Sequence, residues 1–266
     1  MTTGVRMGLR LGFDLDGVLA DFQTALTTAC LEDGGAARPT SSSGDPSTSE
    51  LKHAWRRIVR SENWWTTLAA YEPDQIARLY ALSRRHRWEV FFLTKRPTTT
   101  GDTVQVQTQS WIERHGYYLP SVATVPSSRG EIARALRLDL IVDDQLIECT
   151  DCVSASAAKA LLMVRDPNDG DSRGQALSQG IGVVSTLAES LDVIERLDTM
   201  VHSKSGALAR LKNWFSLATA GAPVLPMNPR DTRPLPSRSG AATSDSIDAE
   251  RGRRGGGSGE GEKAEH

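Results

Sequence analysis

Six short apolar runs recur along the chain and constrain its fold more than any other feature: residues 7–15 (MGLRLGFDL), 89–94 (EVFFLT), 121–125 (SVATV), 139–143 (DLIVD), 160–164 (ALLMV) and 182–185 (GVVS). Each has the length of a strand, and most are apolar at successive positions, the pattern of a strand buried on both faces. Residues 104–115, 129–136 and 187–201 separate or follow these runs and place apolar side chains three or four apart, as an amphipathic helix does. Parallel neighbours need long crossovers, which are usually helices, so the alternation predicts an α/β fold with a doubly wound (Rossmann-like) parallel sheet. Ligands of such a sheet gather at the carboxyl ends of its strands.

Between the first and second runs lie about seventy residues, far more than an ordinary connection. They carry helical patterns at 22–31, 49–60 and 73–85 and predict a small inserted helical cap. The expected organisation is a core of residues 1–22 and 86–201, a cap of residues 23–85, an amphipathic helix within 202–220 (Leu208, Leu211, Trp214 and Phe215 on one side) and a disordered tail, 221–266. Residues 38–48 (RPTSSSGDPST) are expected to form a loop inside the cap. The tail is too polar and too rich in Gly, Ser and Pro to offset chain entropy by burial.

With 266 residues, 39% of them hydrophobic, the chain can bury one sizeable core. Its 31 Lys and Arg against 33 Asp and Glu leave a net charge of -2, so no global field draws it to a nucleic-acid polymer or an anionic membrane, and any polyanion site must be local. No stretch is apolar for the length of a membrane span, and a cytoplasmic protein is expected. Cys30, Cys149 and Cys152 cannot all pair and are expected to be reduced thiols; the Cys149 and Cys152 spacing lacks the second cysteine pair that zinc needs. The five histidines show no ligand spacing and are expected at the surface or at interfaces, and the basic patch at Arg251, Arg253 and Arg254 reads as solvated tail.

Three strand ends carry chemistry. In GFDLDGVLADF (12–22), two carboxylates two residues apart close an apolar strand; Asp14 would act as nucleophile and Asp16 as proton donor and acceptor, with a hard cation between oxygen ligands. In FFLTKRP (91–97), Thr94 would bind a phosphate oxygen and Lys95 or Arg96 would add a charge-assisted contact. In LIVDD (140–144), Asp143 would complete the oxygen set for the metal.

These stations, together with NWWTTL, TQSWIERHG and IVDDQLIEC, resemble the haloacid-dehalogenase-like (HAD) superfamily, and within it the 5'(3')-deoxyribonucleotidase branch, over residues 9–185. The resemblance implies a doubly wound core with a helical cap and hydrolysis of a phosphomonoester through a phosphoaspartate with Mg²⁺. It implies that Asp14, the backbone carbonyl of Asp16, and Asp143 hold the metal and that Thr94 holds the phosphate. By the same resemblance Phe22, Trp64 and Trp65 match places where aromatic side chains surround a base, so the expected partner is a small phosphorylated metabolite of the nucleotide kind; a homodimer is compatible with this reading. The family's lysine before the last acidic motif is Arg129 here, a larger, planar cation that holds phosphate differently. Arg129 is therefore assigned to the phosphate with Lys95, and the alternative reading is a weak or inactive nucleotide-binding protein. A carbon–halogen hydrolase would not need Asp16, and a phosphotransfer mutase would need a bisphosphate activator.

Overall fold

All six apolar runs are strands, and every pairing between them is parallel. The computed structural model describes residues 8–31, 46–125 and 127–202. Its strands are β1 (Arg10–Asp14), β2 (Glu89–Thr94), β3 (Ser121–Thr124), β4 (Leu140–Asp143), β5 (Lys159–Met163) and β6 (Gly182–Val184), in the spatial order β3-β2-β1-β4-β5-β6. The helices among the described residues are α1 (Phe22–Leu31), α2 (Thr48–Arg60), α3 (Pro73–His86), α4 (Val104–Arg114), α5 (Arg129–Leu136), α6 (Leu146–Ala155), α7 (Gly170–Ser178) and α8 (Leu187–His202).

Strand alternation divides the apolar side chains between two faces. Leu11, Phe13, Phe92, Val142 and Leu161 pack with Leu79 of α3, Trp111 of α4 and Leu191 of α8. Leu93, Ile141, Ala160 and Leu162 pack with Ala133 of α5, Cys149 and Cys152 of α6 and Ala176 of α7. Each large apolar side chain so buried contributes about 1.5–3 kcal/mol. The result is the doubly wound sheet that alternation of strand and helix predicts.

The insert between β1 and β2 is not one unit. Helices α1 and α2 form a small cluster of their own around Ala29, Cys30, Ala54 and Ile58, and α2 begins with a capping box in which Ser47 and Glu50 satisfy each other's backbone N–H. Helix α3, which sequence spacing groups with the cap, buries Ile76, Leu79 and Leu82 in the main core beside the sheet. It is held there by α8: Arg78 meets Asp192 at 2.6 Å and His86 meets Asp198 at 2.8 Å. His86, expected at the surface or at an interface, lies in this one and is also stacked on Trp88 with 5.0 Å between ring centroids.

No helix among the described residues is long and apolar enough to cross a membrane. The three cysteines are unpaired and buried. The expected helix within 202–220, the tail, and most of the loop at 38–48 lie outside the described residues.

Candidate active site

Strands β1 and β4 are neighbours at the centre of the sheet, and from them the strand order runs outward in opposite directions. This is the topological switch point, where diverging crossovers leave a crevice at the carboxyl ends. Asp14 is the last residue of β1 and Asp143 the last of β4, so two carboxylates end side by side. Asp144 is the third, and the three each offer an oxygen within 4.8 Å of the others.

Burial governs their electrostatics. Desolvation raises the Asp14 carboxyl well above the usual range, and the neighbouring Asp143 raises it further. Asp143 and Asp144 are each pushed up to about 7, again chiefly by burial. One oxygen of Asp143 (Oδ2) and one of Asp144 (Oδ1) are buried without a hydrogen-bond partner. Buried carboxylates that bring oxygens this close together suit a hard cation such as Mg²⁺ or Ca²⁺.

Arg129 is the first residue of α5 and only 3% exposed. Its Nη2 contacts Asp14, and its Nε lies 3.4 Å from Asp143, while Nε and Nη1 have no hydrogen-bond partner. Among the described residues, Nη1 is thus the one nitrogen of this guanidinium without a carboxylate opposite it. Its root is fixed by close packing of α5 on α6: a Cβ at Gly130 would lie 2.5 Å from the Asp151 carbonyl oxygen. Asp151 accepts from the Gly130 N–H at 2.8 Å and the Ser128 hydroxyl at 2.7 Å, bonds that hold its carboxyl below the usual range.

Asp16 stands outside the carboxylate trio. Its side chain takes a forked pair of bonds from Arg96, Nη2 to Oδ1 at 2.7 Å and Nε to Oδ2 at 3.0 Å. Arg96 is buried, donates also to Thr108 at 3.1 Å and lies 4.7 Å over the Trp65 ring. Thr94 ends β2 one residue past the Leu93 that pairs with Asp14, and its hydroxyl accepts the Arg96 N–H at 3.2 Å. Lys95, between them, turns away to Glu148 at 2.6 Å and is 40% exposed. Of the two adjacent cations, Arg96 is therefore the one that pairs with Asp16, while Lys95 pairs with Glu148.

The aromatic residues form one cluster over this rim. Phe22 packs on Trp55, Trp64 and Trp65 with centroids 5.8, 6.1 and 6.0 Å away. Trp65 is 1% exposed, its indole N–H bonds to the Pro97 carbonyl at 2.9 Å, and its backbone N–H bonds to Gln107 at 3.1 Å. In this conformation it is a support with no face left for a base, whereas Phe22, Trp55 and Trp64 remain part-exposed. Asp144, Arg96 as ligand of Asp16, and Trp55 are the residues that sequence reasoning left unassigned. The doublet Asp143-Asp144 and the apolar spacing of Leu51, Ala54, Trp55 and Ile58 were the available signals.

The fold and rim define a doubly wound α/β protein with a helical insert and an acidic crevice at its switch point. Neither family models nor curated proteins match the chain. Among solved structures it is similar to a phosphonoacetaldehyde hydrolase like protein from Oleispira antarctica, at 12% identity and a TM-score of 0.47 over 74% of this chain and 95% of that one. It is similar to a HAD family hydrolase from Deinococcus radiodurans with bound phosphate and sodium (13%, TM-score 0.42, 81% and 97%). A haloacid dehalogenase-like family hydrolase from Xanthomonas campestris matches at 12% identity and a TM-score of 0.41, over 73% and 98%.

Proposed function

We propose that this chain is a Mg²⁺-dependent phosphomonoester hydrolase that works through a phosphoaspartate on Asp14, with a nucleoside monophosphate or a similar small metabolite as substrate. The observation that carries the reading is the meeting of three buried carboxylates with a buried guanidinium at the switch point of the sheet. Asp14, Asp143 and Asp144 would hold the cation, which when bound neutralises charge on the phosphoryl oxygens.

Asp14 attacks phosphorus as the ester oxygen departs, and water then cleaves the acyl phosphate. Asp16 gives a proton to the leaving oxygen and takes one from the attacking water. To reach either, one of its oxygens exchanges Arg96 for the substrate. Arg129 and Thr94 hold the phosphoryl oxygens, and Lys95 joins them on leaving Glu148. The part-exposed Phe22 and Trp64 favour a substrate with a flat apolar ring.

A phosphate-release screen over nucleoside monophosphates and sugar phosphates, with Mg²⁺ or with chelator, tests this. Mg²⁺-dependent release, greatest with nucleoside monophosphates, is expected; release unaffected by chelator overturns the metal role. One observation favours a second reading, a nucleotide-binding protein without turnover: Arg129 already spans Asp14 and Asp143. That reading predicts binding without release, and turnover gained in Arg129→Lys.

Stability gives a further test. An Asp carboxyl has a pKa of about 3.9 in an unfolded chain, against about 7 for Asp143 and Asp144 here. Between those values the folded chain binds more protons than the unfolded one. This stabilising contribution is thus complete below about pH 4 and is lost as pH rises through about 7. In chelator the melting temperature is expected to fall from about pH 5 to about pH 8, and saturating Mg²⁺, bound to the folded state, to reduce that fall. A melting temperature in chelator that stays level over this range would contradict the account.

A further inference from the structure

We infer that Arg165 is a positioning residue that locks the loop behind Asp16 to the root of the insert, an inference that rests on the hydrolase reading. Arg165 lies two residues beyond β5 with its side chain 24% exposed. Its Nε donates to the Gly17 carbonyl at 2.9 Å and its Nη2 to the Val18 carbonyl at 2.7 Å, so one planar fork holds two successive peptides. Its Nη1 meets Glu72 at 3.1 Å, and its guanidinium carbon lies 3.8 Å from the centre of the Tyr71 ring.

Glu72 has a second task. Its carboxylate accepts the N–H groups of Leu187 at 2.8 Å and Ala188 at 3.1 Å, at the start of α8, where a negative charge also complements the helix dipole. The loop that Arg165 grips is laid against residues 69–71: Asp21 N–H bonds to the Ala69 carbonyl at 2.9 Å and Tyr71 N–H to the Leu19 carbonyl at 3.0 Å. Arg165 therefore ties β5, α8, the end of the insert and the Gly17–Val18 turn into one node.

The grip reaches the carboxylates through Gly17. Its φ of 83° is a left-handed value that glycine adopts without strain, and a Cβ there would lie 2.0 Å from Asp144 Oδ2. Movement of this turn is thus felt by Asp144 on one side and by Asp16 on the other. Arg165 touches neither, and its charge has no part in bond making. What it supplies is geometry: with the fork in place, the root of the insert and the catalytic loop move together. A lysine has three N–H donors on a compact, rotating head but no rigid fork, so it fixes the two peptides less firmly.

The test compares wild type, Arg165→Met and Arg165→Lys by Mg²⁺-dependent hydrolysis of nucleoside monophosphates and by amide hydrogen exchange. In Arg165→Met, kcat is expected to drop by about tenfold or more with KM changed less than about threefold, and Arg165→Lys to recover part of the loss. The amides of Gly17, Asp21 and Tyr71 are expected to exchange about tenfold faster while those of β1 and β4 keep their protection. Exchange at residues 17–21 and 69–71 equal to wild type, or faster exchange spread equally over β1 and β4, would overturn the inference. So would a kcat within about twofold of wild type. If Arg165→Met does not fold, Arg165→Lys is read on the same two scales. If wild type releases no phosphate from any substrate, the hydrolase reading fails, and exchange alone still decides whether Arg165 couples the two segments.

Discussion

Asp14→Asn is expected to lower phosphate release by at least about a thousandfold while melting at or above the wild-type temperature in chelator. The amide is the same size as the carboxylate, so packing at the end of β1 is kept, but it offers no anionic oxygen to attack phosphorus. Stability should not suffer, because Asp14 is buried against Asp143, and removing one of the crowded charges relieves a cost that desolvation and repulsion impose. Loss of the Arg129 contact opposes that gain, and two carboxylates remain to face the guanidinium. Phosphate release and thermal unfolding on the same preparations check both halves. Turnover within about tenfold of wild type would remove Asp14 as nucleophile.

Trp65→Ala is expected to destabilise the protein by about 3–5 kcal/mol, the range for deleting a large buried aromatic side chain. The ring fills the junction between insert and core, donates to Pro97, and lies beneath Arg96, the residue that holds Asp16. Its loss should therefore lower kcat as well as stability. Phe22→Ala, by contrast, removes a part-exposed ring and should act mainly on KM. Denaturant midpoints with unchanged slope measure the first effect. A Trp65→Ala protein less than about 1 kcal/mol weaker, with only KM altered, would make Trp65 a substrate contact instead of a support.

What the residues revealed in advance follows from how burial is written. Strands covered on both faces need apolar side chains at successive positions, so β1, β2 and β4 stand out, and the carboxylates closing β1 and β4 stand out with them. Helix α6 (LIECTDCVSA) did not, because Cys, Thr, Asp and Ser are middling helix formers and its stability comes from Cys149 and Cys152 packing onto the sheet. Helix α7 carries two glycines and was equally hidden. Adjacent cations look alike in a sequence; that Arg96 turns to Asp16 and Lys95 to Glu148 depends on which side of the chain each leaves and on partners far away along it. The same holds for α3, whose residues follow the insert in order but whose apolar face meets the sheet and α8.

The central claim is that Asp14 carries the phosphoryl group between substrate and water. Acid quenching during turnover of a radiolabelled nucleoside monophosphate with Mg²⁺, followed by peptide mapping, tests it most directly. The account predicts label on the peptide that contains residue 14, and none when Asp14 is replaced by Asn. Steady phosphate release with no label on that peptide, or label at another residue, would contradict it.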